Sequence, residues 1–156
     1  MTDTHLTVAH FLQSQAEAIL ADSREAIGRA HLANYERIGR EQTWQRLQSL
    51  FDLGRQCIHD RNLTPMRSQA RTIAGERFAA GFDLGEVQTA FNVLEEAIWT
   101  RLIKEMPPAQ LAEALALVST VLGAGKDMLA RTYVNLASRA HLPSLNVPEL
   151  FAGTEG

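Results

Sequence analysis

Residues 77–87 read RFAAGFDLGEV, a stretch that ends one helix and begins another. Gly81 is the residue type that most readily takes the left-handed conformation on which helices stop. Asp83 then stands where a side-chain oxygen can cap the free amides of a new helix, and Glu86 follows three residues later, as in a capping box. Beyond it Leu84, Val87, Phe91, Leu94, Ile98 and Leu102 recur at spacings of three and four, so they share one helix face until Pro107-Pro108. Arg77, Gly81, Asp83 and Glu86 are therefore expected to form a fixed hinge between two helices, structural before anything else.

Outward from this junction the punctuation stays helical. The segment before it opens at Thr64-Pro65, read as a hydroxyl N-cap followed by proline at the first helical position, and carries Met66, Ala70, Ile73, Ala74 and Phe78. An earlier segment runs from about Arg40 to Arg61, with Trp44, Leu47, Phe51, Gly54 and Ile58 on one face. The first spans about Thr4 to Ala21, and Asp22 to Ile38 either continues it or forms a packed connection. Strand-like alternation of β-branched residues is lacking. The expectation is an all-α fold, a bundle of about five helices over residues 1–141, with 142–156 as a linker or tail containing Pro143, Pro148 and Gly153.

The last helix, about Pro108 to His141, is the longest, on the order of 50 Å at 1.5 Å per residue. Leu111, Leu115, Val118, Leu122, Gly125, Leu129, Thr132 and Leu136 alternate spacings of four and three. Packing within the monomer is the first reading of such a stripe. The second is that Leu115, Val118, Leu122, Leu129 and Leu136 also meet a second copy of the chain, since a 3.5-residue period is that of coiled-coil seams.

Tests for chemistry fail on spacing. The five histidines, at 5, 10, 31, 59 and 141, are nowhere three or four apart, so no helix face presents two as metal ligands. Glu95 and Glu96 are adjacent and diverge on a helix. The glycines of Gly123-Ala124-Gly125-Lys126 lie within a helical stretch, with no strand before them to make a phosphate loop. Cys57 is the single cysteine, which leaves neither a disulfide nor a multi-cysteine zinc site. A net charge of −3 without a basic block argues against a nucleic-acid track. The first twenty residues lack the pattern of a signal peptide, and Leu111–Leu129 is broken by Glu113, Ser119, Thr120, Lys126 and Asp127. A soluble, cytoplasmic, non-enzymatic chain with no membrane or nucleic-acid partner is expected. Trp44, Phe51, Phe78, Phe91 and Trp99, with Phe82, are large enough to line a pocket between helices, although aromatics at helical spacing are more often core. No cofactor follows from these patterns; haem or another flat apolar ligand in a globin-like cavity is the alternative reading.

Two stretches carry a resemblance. Asn34-Tyr35-Glu36-Arg37-Ile38 followed by Glu41, together with Arg77 to Val87, is similar to the RsbT co-antagonist RsbRD N-terminal domain family over roughly residues 5 to 138. The resemblance implies a helical sensory or regulatory module that acts on an output domain, such as a STAS domain, a histidine kinase or another regulator. The stretch after residue 141 is too short for such an output, which is expected elsewhere, in cis or in trans. In this reading the long last helix passes the signal, and a homodimer through it is expected.

Overall fold

The computed structural model describes the backbone of residues 3–144 and the side-chain packing of residues 3–140. Seven α-helices and no strand occur among the described residues: α1 (Thr4–Ser14), α2 (Ala16–Arg29), α3 (Ala33–Ile38), α4 (Arg40–Asp60), α5 (Thr64–Ala79), α6 (Leu84–Glu105) and α7 (Pro108–Ser144). The all-α bundle with a long last helix is as the sequence indicated; the two extra helices come from its N-terminal quarter. Gln15 leaves helical geometry at φ −102° and ψ 8°, so the expected first segment splits. The split has a packing reason, because α1 lies on α4 and α7 whereas α2 lies on α6 and α4. One straight helix would not reach both. The ambiguous stretch after Asp22 is the second half of α2 followed by the short α3.

Two boundaries differ in detail. Thr64 is not the cap of α5. The Asn62 side-chain oxygen accepts the Thr64 N–H at 3.1 Å, so the hydrogen-bonding residue lies two positions earlier. The last helix continues to Ser144 through Pro143, which has no N–H to give to the preceding turn. The linker or tail expected over 142–156 therefore begins inside this helix, and from residue 145 onward it lies outside the described residues.

α7 is the central element, packed on α5, α6, α4 and α1. Its buried positions are Ala114, Val118, Val121, Leu122, Gly125, Leu129 and Tyr133. Ala114 and Gly125, Val118 and Leu129, and Leu122 and Tyr133 are each eleven residues apart, while Ala114 and Val121, Val118 and Gly125, and Leu122 and Leu129 are each seven apart. The buried face therefore serves both periods, that of a straight helix and that of a supercoiled seam. Of the five residues expected on a dimer face, Val118, Leu122 and Leu129 are thus core of the monomer, and Leu115 packs partly against that core. Leu136 is half-buried farther along. By length and composition alone α7 would also pass as a membrane span, with an 18-residue window of mean hydropathy 1.2. Of that window, 28 % is buried within the fold.

Gly125 fixes how closely the helices approach. A Cβ there would lie 2.7 Å from Cε1 of Phe91 on α6 and 2.8 Å from Sδ of Met66 on α5. Phe91 and Met66 are both fully buried, lodged against bare α7 backbone. Gly125→Ala is expected to cost about 1–3 kcal/mol through overpacking. Gly123→Ala meets nothing within 4 Å and is expected to add about 0.5–1 kcal/mol. Urea midpoints of the two variants check the pair; shifts of the same sign would mean that α7 is not seated this way.

Candidate functional site

The turn from α5 to α6 is a Schellman motif. Gly81 has φ 84°, Phe82 N–H reaches the Arg77 carbonyl at 2.9 Å, and Gly81 N–H reaches the Phe78 carbonyl at 3.2 Å. Glu86 then accepts the Asp83 N–H on Oε1 at 3.0 Å. The Asp83 carboxylate faces the Glu86 amide in the reciprocal arm of the capping box, but that amide is also within 3.1 Å of the Asp83 carbonyl. Glu86 is the firmer of the two arms.

Glu86 does more than close its own helix. α3 begins after Leu32, whose side chain caps nothing. Instead Glu86 Oε2 accepts the Asn34 backbone N–H at 3.0 Å, and Oε1 accepts the Asn34 side-chain amide at 2.6 Å. Asn34 Oδ1 accepts two bonds from the Arg37 guanidinium, at 3.2 and 3.0 Å, and Arg37 Nη2 donates on to the Ala80 carbonyl at 3.2 Å. Three helix termini, which would otherwise leave polar backbone groups unpaired, satisfy one another here. Burial pushes the Glu86 carboxyl up, but hydrogen bonds from the Asn34 side chain and the Asp83 and Asn34 amides, with the Arg37 charge, outweigh it and hold it below its ordinary value.

An aromatic layer lies beside this knot. Phe82 meets Tyr35 edge-on at 5.2 Å, and the guanidiniums of Arg46, Arg77 and Arg37 stand 5.4, 5.8 and 6.0 Å from its ring centre. Its carbonyl accepts the Tyr133 hydroxyl at 3.0 Å, and Tyr133 packs edge-on against Phe78 at 5.6 Å. The junction is thereby bonded to the C-terminal half of α7. Burial pushes the Tyr133 hydroxyl up to about 12, so it remains a donor across the physiological range.

The remaining expected site residues scatter. Trp44, 37 % exposed, stands at the rim of a groove of about 550 Å³ between α2, α3 and α4, shared with Ile27, His31, Leu32 and Tyr35, and Arg24 lies 4.8 Å over its ring. Phe51 and Phe91 are core, Phe78 stacks on Tyr133, and Trp99 sits on the outer face of α6 with Ile103. The five aromatics do not share one pocket. Glu95 pairs with Lys126 at 2.9 Å, joining α6 to α7, while Glu96 faces solvent. Cys57 is buried and its thiol is pushed up by that burial, the opposite of an activated nucleophile. Among the described residues no group of three or more metal-ligating side chains converges. The four hinge residues do come together. Asn34, Arg37, Arg46 and Tyr133 were given no role by periodicity, because their partners lie in other helices.

Glu86→Gln is expected to cost about 1–3 kcal/mol near neutrality, since its amide must face donors. Because the native carboxyl is held low, its contribution is full above the unfolded value of about 4.3 and is lost as pH falls through the native value. The stability gap between variant and parent should narrow on acidification below that point. Asp83→Ala should cost less, about 0.5–1 kcal/mol. A gap that is constant across this range in urea titrations would remove Glu86 from the centre of the junction.

No curated protein and no solved structure is similar enough to match this chain. One family pattern does, over residues 11–141, and it takes in Asn34 to Arg37 and Arg77 to Val87, the two stretches that Glu86 joins in space. With the match covering most of its length, this chain belongs to the RsbT co-antagonist protein rsbRD N-terminal domain family, a family of regulatory stress-signalling domains.

Proposed function

We propose that the chain is a non-enzymatic sensory and regulatory input domain of a bacterial-type signalling protein, working in the cytoplasm. A ligand or partner acts on α3 and its surroundings, and α7 hands the change to an output domain, a kinase, STAS domain or other regulator, in cis or in trans. The family supports the regulatory half of this reading. The observation that carries the transmission is the Tyr133 hydroxyl on the Phe82 carbonyl. Through it a displacement of α3, felt by Glu86 and the α5–α6 turn, has a direct mechanical connection to α7. Such a device needs two arrangements of comparable energy and a signal that discriminates between them. α3 suits the moving part: it is six residues long and held at its start by another helix's carboxylate.

Asn34→Ala is expected to raise amide exchange both at the junction and along α7 from Arg131 to Ala140. A change confined to residues 33–38 and 80–86 would defeat the transmission route. In the intact gene product, Tyr133→Phe should hold the output at one level whatever the stress; an output that responds as before would overturn the reading.

The homodimer in this proposal uses the outer face of α6, where Trp99 and Ile103 are 36 % and 58 % exposed, because the α7 stripe is occupied within the monomer. Ile103→Glu should leave the circular dichroism unchanged and halve the mass seen by light scattering. A parent chain that is already monomeric removes the dimer.

A further inference from the structure

Five arginines, Arg24, Arg46, Arg55, Arg77 and Arg101, each leave one buried nitrogen without an acceptor among the described residues, and two of them, Arg46 and Arg77, stand near the junction. Arg77 on α5 is nine-tenths buried, and its Nε lies out of water with no acceptor. Its only carboxylate contact among the described residues is Glu76, a largely exposed neighbour reached by Nη1 at a long 3.4 Å. Arg46 on α4 leaves one nitrogen, Nη1, in the same condition, and the carboxylate whose charge acts on it is again that of Glu76. Phe82's ring attracts both charges, but it offers no acceptor for in-plane N–H groups. The Tyr35 hydroxyl lies beside Arg77 and serves at most one donor. Glu86 is not available to either arginine, being engaged by Asn34 and Asp83. Burial and the nearby Arg77 charge both make Arg46 less willing to stay protonated. Buried guanidinium N–H groups left unpaired are costly and call for an acceptor, either a water or an anion.

The two side chains share that place. Both line a small cavity of about 30 Å³ beside Tyr35, Val87 and Phe91, and both line the floor of a groove of about 640 Å³ between α4 and α5. The groove is large enough for a metabolite, and its walls carry Gln45, Ser49, Gln56 and Gln69. These uncharged side chains suit hydroxyl and amide groups. Asp52 and Glu76 at its edge disfavour a polyanion.

We propose that the α4–α5 groove binds a small oxyanion-bearing metabolite, a carboxylate or a phosphate ester with a polar body, whose anionic group bridges Arg46 and Arg77. Planar guanidiniums match both oxyanions through paired N–H bonds. The site also touches the junction, since the Arg77 carbonyl holds the Phe82 N–H of the Schellman turn. Binding stands on this geometry alone; only its passage to α7 rests on the proposed function.

The test is a titration of the full ¹⁵N-labelled chain, following arginine Nε–Hε resonances, with sodium phosphate, with sodium lactate, and with sodium chloride at matched ionic strength. Phosphate or lactate should shift the Arg77 and Arg46 signals saturably, and chloride should not. Saturation by phosphate alone assigns a phosphate ester, and saturation by lactate alone a carboxylic acid. Arg46→Gln, at a half-exposed position, should fold and weaken binding about tenfold. Gln69→Glu, which adds a carboxylate to the groove, should abolish saturation and serves where Arg77→Gln fails to fold. Shifts matched by chloride, or undiminished affinity in both Arg46→Gln and Gln69→Glu, overturn the site. Saturable binding that leaves amide exchange in α7 unchanged keeps the site and defeats the transmission.

Discussion

Glu86 accepts hydrogen bonds from two helices at once, and the arrangement of the α3–α5–α6 corner depends on that sharing. Its Oε1 takes the Asp83 backbone N–H and the Asn34 side-chain amide, and its Oε2 takes the Asn34 backbone N–H. α3 is too short to be stable alone, and its first turn brings no cap of its own. It persists because α6 supplies the acceptor and because Arg37 answers an open carbonyl at the end of α5. Buried polar groups are costly unless all are satisfied, so this corner behaves as a unit: removing one member exposes the others.

That corner is joined to the core by aromatic contacts as well as by Leu32, Ile38 and Leu84. Phe82 is 4 % exposed although it lies in a turn. It is fixed by the edge of Tyr35 on one side and by its own carbonyl's bond to Tyr133 on the other. Two of the arginines around its ring, Arg46 and Arg77, retain unspent donor capacity. Below this layer the packing is ordinary aliphatic and aromatic core, ending at Gly125, where two large side chains rest on helix backbone. The molecule thus has a close-packed half around α7 and a polar, hydrogen-bonded half around α3. A polar network can be rearranged by a charged ligand at smaller cost than a close-packed core can be repacked.

Much of the fold was legible in the sequence. Gly81, Asp83 and Glu86 carry their conformational preferences in their own covalent structure, and the three-and-four spacing of Val87, Phe91, Leu94, Ile98 and Leu102 needs no partner to be read. The break at Gln15 was not legible, because it arises from two halves of one apolar stretch packing on different helices. The four-and-three stripe of α7 is legible, since Val118, Leu122, Gly125 and Leu129 are buried and Leu111, Leu115, Thr132 and Leu136 partly so, whereas the burial of Ala114 and Tyr133 depends on the neighbouring helices. Trp44 sat correctly on its helical stripe, yet that end of α4 borders a groove rather than core.

For the candidate site the division is sharper. The sequence by itself determined the all-α class, the stop at Gly81 and start at Asp83, and the absence of any spacing that would place paired metal-ligating histidines on one helix face, since these follow from contacts within a few residues. It also held the two stretches that mark the family. Tertiary structure alone decided that those stretches meet, that Glu86 serves Asn34 across 52 residues, that Tyr133 ties the turn to α7, and that Arg46 and Arg77 come together at one groove. The reason is that hydrogen-bond satisfaction in a buried corner is a property of all the groups present, and no short stretch of chain records which distant partner will arrive.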